Sequence, residues 1–187
     1  MRKLHDNDIR EPLFTFFDIK LGKVRFLEEM SIGRSRADIM MVTDDAITGL
    51  EIKSDVDSFA RLKKQVIDYD DYFDYNYVVI GKRHLKCVEE HIPESWGVIV
   101  CYEEDGEVLI EEIKEAIKNP KRKIDCKLDL LWRSELARIS GECLKYKYSN
   151  LCKSKLRAKL IEKIDEEQLE QLISRELFNR DYTIYQR

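Results

Sequence analysis

Apolar positions along the chain change their period partway through. Ile9, Leu13, Phe16 and Phe17 recur at helical spacing and predict a helix over 8–20, closed by Gly22. Residues 24–30 predict a short extended run interrupted at Ser31-Ile32-Gly33. Residues 36–42 and 47–53 are apolar-rich runs of strand length around Thr43-Asp44-Asp45-Ala46, which predicts a hairpin. Phe59, Leu62, Val66 and Phe73 share a stripe and predict a helix over 55–73, capped by Ser54 or Asp55. Residues 77–81 predict a buried strand, 82–91 a short helix, and 97–102 and 108–113 two strands turning at Asp105-Gly106. Beyond that the period becomes helical. Leu128, Leu131, Trp132, Leu136 and Ile139 predict one helix and residues 151–164 a second. Asp165 with Gln168 starts a third, carried by Leu169, Leu172, Ile173 and Leu177. The pattern predicts an α/β domain over 1–113 and a helical C-terminal region over 114–187, packed on or beside it without a flexible linker.

The hairpin makes the first chemical statement. With Asp44-Asp45 as a two-residue turn, paired positions sum to 89, so Asp38 lies opposite Glu51 and Arg36 opposite Lys53. Opposed residues share a face with Cβ atoms roughly 5 Å apart, and Glu51 and Lys53, two apart, share it too. The apolar neighbours Ile39, Met41, Leu50 and Ile52 imply a central strand pair covered on its other face. Two carboxylates so placed repel unless a cation sits between them. Oxygen ligands at that spacing suit Mg²⁺ or Mn²⁺, which take one or two carboxylates plus a substrate phosphate. Such an ion lowers the pKa of water and holds a scissile phosphate, while Lys53 could orient the attacking water or neutralise charge on the phosphate. A salt-bridged strand pair accounts for Glu51 and Lys53 taken alone. The helix that follows adds Gln65 and Tyr69, one turn apart on one face, and Arg61 a turn earlier. It could aim Gln65 and Arg61 at phosphate oxygens; the plainer alternative is a core Tyr69 and a solvated Gln65.

Composition narrows the classes. Of 187 residues, 43% are hydrophobic and only 3 are Pro and 7 Gly, enough for one good-sized folded core. Charged residues reach 37% with a net charge of −4, which argues against a plain basic nucleic-acid coat protein. The charge is unevenly spread: residues 1–110 carry −8, residues 111–187 carry +4, and 121–160 alone carries +8. The basic stretch, with Lys145, Lys147, Lys153 and Lys155 beside tyrosines, could line a phosphate-binding face or be a solvated face of core helices. Five cysteines without a CxxC pair, no signal-peptide run and no long apolar stretch fit a soluble protein of a reducing cytoplasm, without a membrane partner. The three histidines form no HExxH, His84 reads as a local hydrogen-bonding residue, and Trp96 and Trp132 read as core. No serine sits in GxSxG, and the glycines form neither a P-loop nor GxGxxG.

Asp38, then Glu51-Ile52-Lys53, then Gln65-Val-Ile-Asp-Tyr69 resembles the PD-(D/E)XK nuclease superfamily, in particular its branch with a Gln-xxx-Tyr helix. Ala37 stands where the superfamily's name has proline. The resemblance implies a restriction-endonuclease-like α/β fold: a mixed central sheet flanked by helices, here with a C-terminal helical extension. It implies Asp38, Glu51 and the backbone carbonyl of Ile52 as ligands of one or two Mg²⁺ or Mn²⁺, and Lys53 as the catalytic lysine. Gln65 and Tyr69 would support the site and DNA. Glu28 or Glu29 would complete the ligand set, with Glu28 taken first. Arg36-Ala-Asp38, Gly49-Leu-Glu-Ile-Lys-Ser-Asp55, Arg61-Leu62, Gln65, Gly81, His84-Leu85, Trp96-Gly97 and Leu130-Leu-Trp-Arg-Ser-Glu-Leu136 are similar to a family of bacterial and phage proteins predicted to be nuclease-like. The expectation is a divalent-metal-dependent nuclease cutting DNA by metal-activated water. Arg36, Arg61, Lys145, Lys147, Lys153 and Lys155 would contact nucleic acid, and a homodimer is among the states it admits. Two alternatives stay open: a non-cleaving nucleic-acid-binding or regulatory module on the same fold, and an RNA-directed defence or toxin nuclease.

Overall fold

A computed structural model describes residues 2–144, 148 and 150–181. Helix α1 (Asp6–Leu21) leads into strands β1 (Arg25–Ile32), β2 (Ser35–Val42) and β3 (Ile47–Lys53), then α2 (Leu62–Tyr72) and β4 (Tyr75–Gly81). Strands β5 (Gly97–Glu104) and β6 (Glu107–Lys114) follow, and four helices close the described chain: α3 (Ile124–Asp129), α4 (Arg133–Cys143), α5 (Lys153–Lys163) and α6 (Glu166–Phe178). The six strands form one mixed sheet in chain order. β1, β2 and β3 run antiparallel as a meander, β3–β4 and β4–β5 are parallel, and β6 returns antiparallel on β5. The expected mixed sheet flanked by helices, with C-terminal helices, is what the chain forms.

Each sheet face has its own cover, and period-2 alternation decides which residue meets which. Ile39, Met41, Leu50, Ile52, Val79 and Ile99 pack under Ile9, Leu13 and Phe17 of α1. Met40, Val42, Ile47, Val78, Ile80 and Val100 face Leu62 and Tyr69 of α2 and Phe73 just past its end, and that core continues into Leu136, Ile139, Leu160, Ile173 and Leu177 of the C-terminal helices. Central strand β3 is buried along its whole length, as expected for a strand covered on both faces. Among the described residues no helix is long and apolar enough to cross a membrane, and the five cysteines are free.

Four elements differ from expectation, each for a local reason. β1 runs unbroken to Ile32. Residues 55–58 are not helical, because the Asp57 carboxylate accepts from both Ser54 N (2.9 Å) and Ser54 Oγ (2.5 Å) and draws the chain into a turn. A 3-10 turn over Phe59–Arg61 then starts α2. Residues 82–91 form two 3-10 turns, Lys82–His84 and Val88–His91, bonded i to i+3. The helix expected through 128–139 is two helices. Leu130 N and Leu131 N bond back three residues to close α3, and Trp132 N donates to the Glu135 carboxylate at 2.6 Å to cap α4. Trp132 is consequently half-buried at this break, with Arg180 stacked 4.3 Å from its ring centre, whereas Trp96 is fully buried.

Candidate active site

The hairpin register holds: β2 and β3 pair from Val42↔Ile47 to Ile39↔Leu50, every pair summing to 89. The regular ladder stops there, one step short of Asp38 and Glu51. Asp38 Oδ2 instead accepts from Ile52 N at 2.8 Å, so the Asp38 side chain does what a strand carbonyl would otherwise do. Arg36 does not face Lys53 across this ladder; it pairs with Ser31 in β1, and its guanidinium binds Glu29 at 2.7 Å. Asp38, Glu51 and Lys53 all line one open groove of about 690 Å³, with Ile52, Arg61 and Gln65.

Burial and partners differ sharply inside the trio. Glu51 is fully buried and Lys53 nearly so, and the Lys53 ammonium pairs with Glu51 Oε1. Glu51 Oε2 accepts from the Tyr69 hydroxyl at 2.7 Å, and the same hydroxyl accepts from Asp38 N at 3.2 Å. Burial, with the charges of Glu51 and Asp38, keeps the Tyr69 phenol protonated far above its usual range, so it serves as a fixed donor. Tyr69 thereby ties β2 to β3 at the site. Gly49 makes this reach possible. A Cβ there would run into the Phe73 ring and come within 2.7 Å of Tyr69 Cδ1, so a bare backbone lets α2 lie close on the sheet.

Asp38 is the electrostatically stressed member. Burial first, and the Glu51 charge second, push its carboxyl up to about 7, against a lowering by the Ile52 N–H. Gln65 points a buried Oε1 with no hydrogen-bond partner. Gln65 itself is half-buried and lines the groove, so this acceptor lies beside the trio. Among the described residues no three His, Cys, Asp or Glu side chains make a ready metal cage. The donors present are hard oxygens: two carboxylates, one of them raised by the other's charge, and a neighbouring backbone carbonyl. That chemistry fits Mg²⁺ or Mn²⁺, which keep several waters, better than it fits softer metals.

The remaining expected residues divide. Glu28 binds Arg10 at 2.6 Å and does not line the groove, whereas Glu29 does. Arg61 lies exposed at the N-terminal end of α2 and lines the groove. Lys153 pairs with Asp129 at 3.1 Å, Lys155 is exposed, and Lys145 and Lys147 lie outside the described residues. Much of the basic stretch is consumed internally: Lys121 binds Asp70, Lys123 binds Asp71, Arg122 and buried Lys127 bind Asp74, and Arg138 binds Glu176. His84 is buried, with Nε2 3.1 Å from the Ser54 carbonyl.

Sequence reasoning missed Asp6, Arg10, Arg34 and Lys64. Asp6, Arg34 and Lys64 line the same groove, and Arg10 sits beneath it bonded to Asp6, Glu28 and Glu29. Lys64 stands three after Arg61 on α2, a spacing that places it on the same helix flank. Arg34 follows Gly33, whose φ of 52° marks the β1–β2 turn beside the site. Asp6 and Arg10 carry no local signal, because only the docking of α1 brings them near Asp38.

A family model described as Bacteriophage P4 protein cII matches residues 11–185. Among solved structures, SfsA from Pyrococcus furiosus in complex with Ca²⁺ aligns with 58% of this chain at 13% identity and a TM-score of 0.36. The alignment spans 61% of that chain, less than two thirds of its length. No curated protein sequence matches the chain.

Proposed function

The chain belongs to the bacteriophage P4 protein cII family, and we propose that it is a divalent-metal-dependent nuclease that hydrolyses phosphodiester bonds of DNA. The observation that carries this reading is the meeting of Asp38, Glu51 and Lys53 in one groove, with Glu51 buried and Asp38 pushed up by burial first and the Glu51 charge second. Two carboxylates this close, Glu51 buried and Asp38 half-buried, repel each other unless cationic charge offsets them.

Asp38, Glu51 and the Ile52 carbonyl would hold the ion. When bound, Mg²⁺ or Mn²⁺ supplies a water of lowered pKa and charge neutralisation at the phosphate. The chain's own residues do the rest. Tyr69 fixes the Glu51 carboxylate by its hydroxyl, so the ligand's orientation is set before substrate arrives. Lys53, held beside Glu51, donates to the phosphate or to the attacking water. Gln65 Oε1, which has no protein partner, would accept a hydrogen bond from the attacking water and so orient it. Arg34, Arg61 and Lys64 at the groove mouth bind flanking phosphates.

One observation favours a second reading, a non-cleaving nucleic-acid-binding or regulatory module. Both Glu51 oxygens already have internal partners, the Lys53 ammonium and the Tyr69 hydroxyl, which satisfy that carboxylate without a metal. Incubating the full chain with labelled duplex DNA, single-stranded DNA and RNA in Mg²⁺, Mn²⁺ or EDTA separates the readings. The nuclease reading expects DNA cleavage in Mn²⁺ or Mg²⁺ that EDTA and Glu51→Gln abolish. Salt-dependent DNA binding that EDTA leaves unchanged, with no cut in any substrate, would replace it with the regulatory module. Cleavage confined to RNA would move the substrate to RNA.

A further inference from the structure

Resting on the metal-dependent reading, we infer that the groove takes a single divalent ion, because the Arg10 guanidinium fills the second carboxylate cluster as a built-in cation. The groove has two acidic centres. One is Asp38 with Glu51. The other is Asp6, Glu28 and Glu29, brought together where the start of α1 meets β1, with Asp6 and Glu29 lining the same groove as Asp38. Three carboxylates beside a backbone carbonyl are hard oxygen donors of the kind a divalent cation takes, but as they stand they face the Arg10 guanidinium and form no metal cage.

That set is already used. Arg10 Nε donates to Asp6 Oδ1 at 2.8 Å and Nη2 to Asp6 Oδ2 at 2.8 Å, a two-pronged grip. Nη1 donates to Glu28 Oε2 at 2.6 Å and to the Asp38 carbonyl at 3.3 Å, and Nη2 donates to Glu29 Oε1 at 2.9 Å. A guanidinium has five N–H donors, and these five bonds use them all. The other Glu29 oxygen binds Arg36 at 2.7 Å, so two guanidiniums neutralise most of the three negative charges. The Arg10 side chain is only 13% exposed, so it is not a loose surface partner that an incoming ion readily displaces. Arginine stays charged at every working pH, unlike a lysine that could deprotonate to yield the site.

The bond to the Asp38 carbonyl joins the two centres. Arg10 is therefore a positioning residue: it sets the β2 backbone from which the Asp38 carboxylate projects, and it closes the neighbouring cluster to metal.

Mn²⁺ binding to the full chain, followed by electron paramagnetic resonance of the free ion and by titration calorimetry, reads the ion count directly. The wild type is expected to bind one Mn²⁺ per chain. Asp6→Asn is expected to leave that count at one, Glu51→Gln to abolish it, and Arg10→Met to add a second, weaker ion. Two ions on the wild type, one of them lost in Asp6→Asn, would overturn the inference and leave the nuclease reading standing. No ion on the wild type would overturn the metal-dependent reading, and the single-ion inference falls with it. Should Arg10→Met fail to fold, the Asp6→Asn count decides.

Discussion

Asp38 and Glu51 sit side by side but are held differently, and the difference predicts how the protein responds to pH. Glu51 has a cation and a phenol; Asp38 has one backbone N–H and its neighbour's charge. The folded state holds the Asp38 proton up to about pH 7, against an ordinary value of 3.8. Between those values the folded chain binds more protons than the unfolded one, so this group's contribution to stability falls as pH rises through that window. Denaturation midpoints from pH 4 to 8 should therefore fall more for the wild type than for Asp38→Asn, the difference levelling off above pH 7. Saturating Mn²⁺ should restore the loss above pH 7 in the wild type alone, because only the ionised pair gains from the ion. The trio itself was readable from sequence because a two-residue hairpin fixes which residues oppose, whatever else the fold does. The choice between Glu28 and Glu29 was not. Glu29 has a φ of 56°, which breaks the alternation along β1, so Leu27 and Ile32, of opposite parity, reach the same core.

At the scale of the element, α2 decides whether the trio is assembled. It docks on the sheet through Tyr69 and Phe73 over the bare backbone of Gly49. Gly49→Ala inserts a methyl group where the rings lie, and such overpacking costs about 1–3 kcal/mol. We expect a lowered urea midpoint of that size, together with cleavage reduced more than the small change in unfolded population would explain, since Tyr69 moves off Glu51. Unchanged cleavage in a folded Gly49→Ala would show that the Tyr69 bond is dispensable. The stripe of α2 was legible in sequence because its apolar residues follow the helical period. Its start was not, because a side chain three residues away, Asp57, competes with the backbone for Ser54. The break at Trp132 has the same origin: Glu135 caps α4 from within a stripe that reads as continuous.

Across the whole molecule, the opposed charges of the two parts of the chain bind them together. Lys121, Arg122, Lys123 and Lys127 meet Asp70, Asp71 and Asp74 at the end of α2 and the start of β4. Asp74 also receives Ile47 N at 2.9 Å, so the Lys127 pair clamps the helical region onto the central hairpin. Lys127 and Asp74 are both buried, and removing one partner of such a pair costs about 3–5 kcal/mol. Lys127→Met should lower stability on that scale in chemical denaturation. The charge asymmetry was legible in sequence; its use was not, because pairing partners fifty residues apart are set by packing. Under the proposed function, the same pairing leaves the groove mouth, rather than the basic stretch as a whole, to contact DNA. The slope of log affinity against log salt should drop by about 0.9 for each of Arg61→Ala and Lys64→Ala on duplex DNA, and stay unchanged for Lys153→Ala, whose charge is spent on Asp129.

The central claim is that Asp38 and Glu51 together hold a divalent ion for phosphodiester hydrolysis. Crystals of the full chain grown with Mn²⁺ and measured for its anomalous scattering test it most directly. The expected result is one peak between the Asp38 and Glu51 carboxylates, within coordination distance of both and of the Ile52 carbonyl, and no peak in Glu51→Gln. An empty map there, with Lys53 still seated on Glu51 at saturating Mn²⁺, would contradict it.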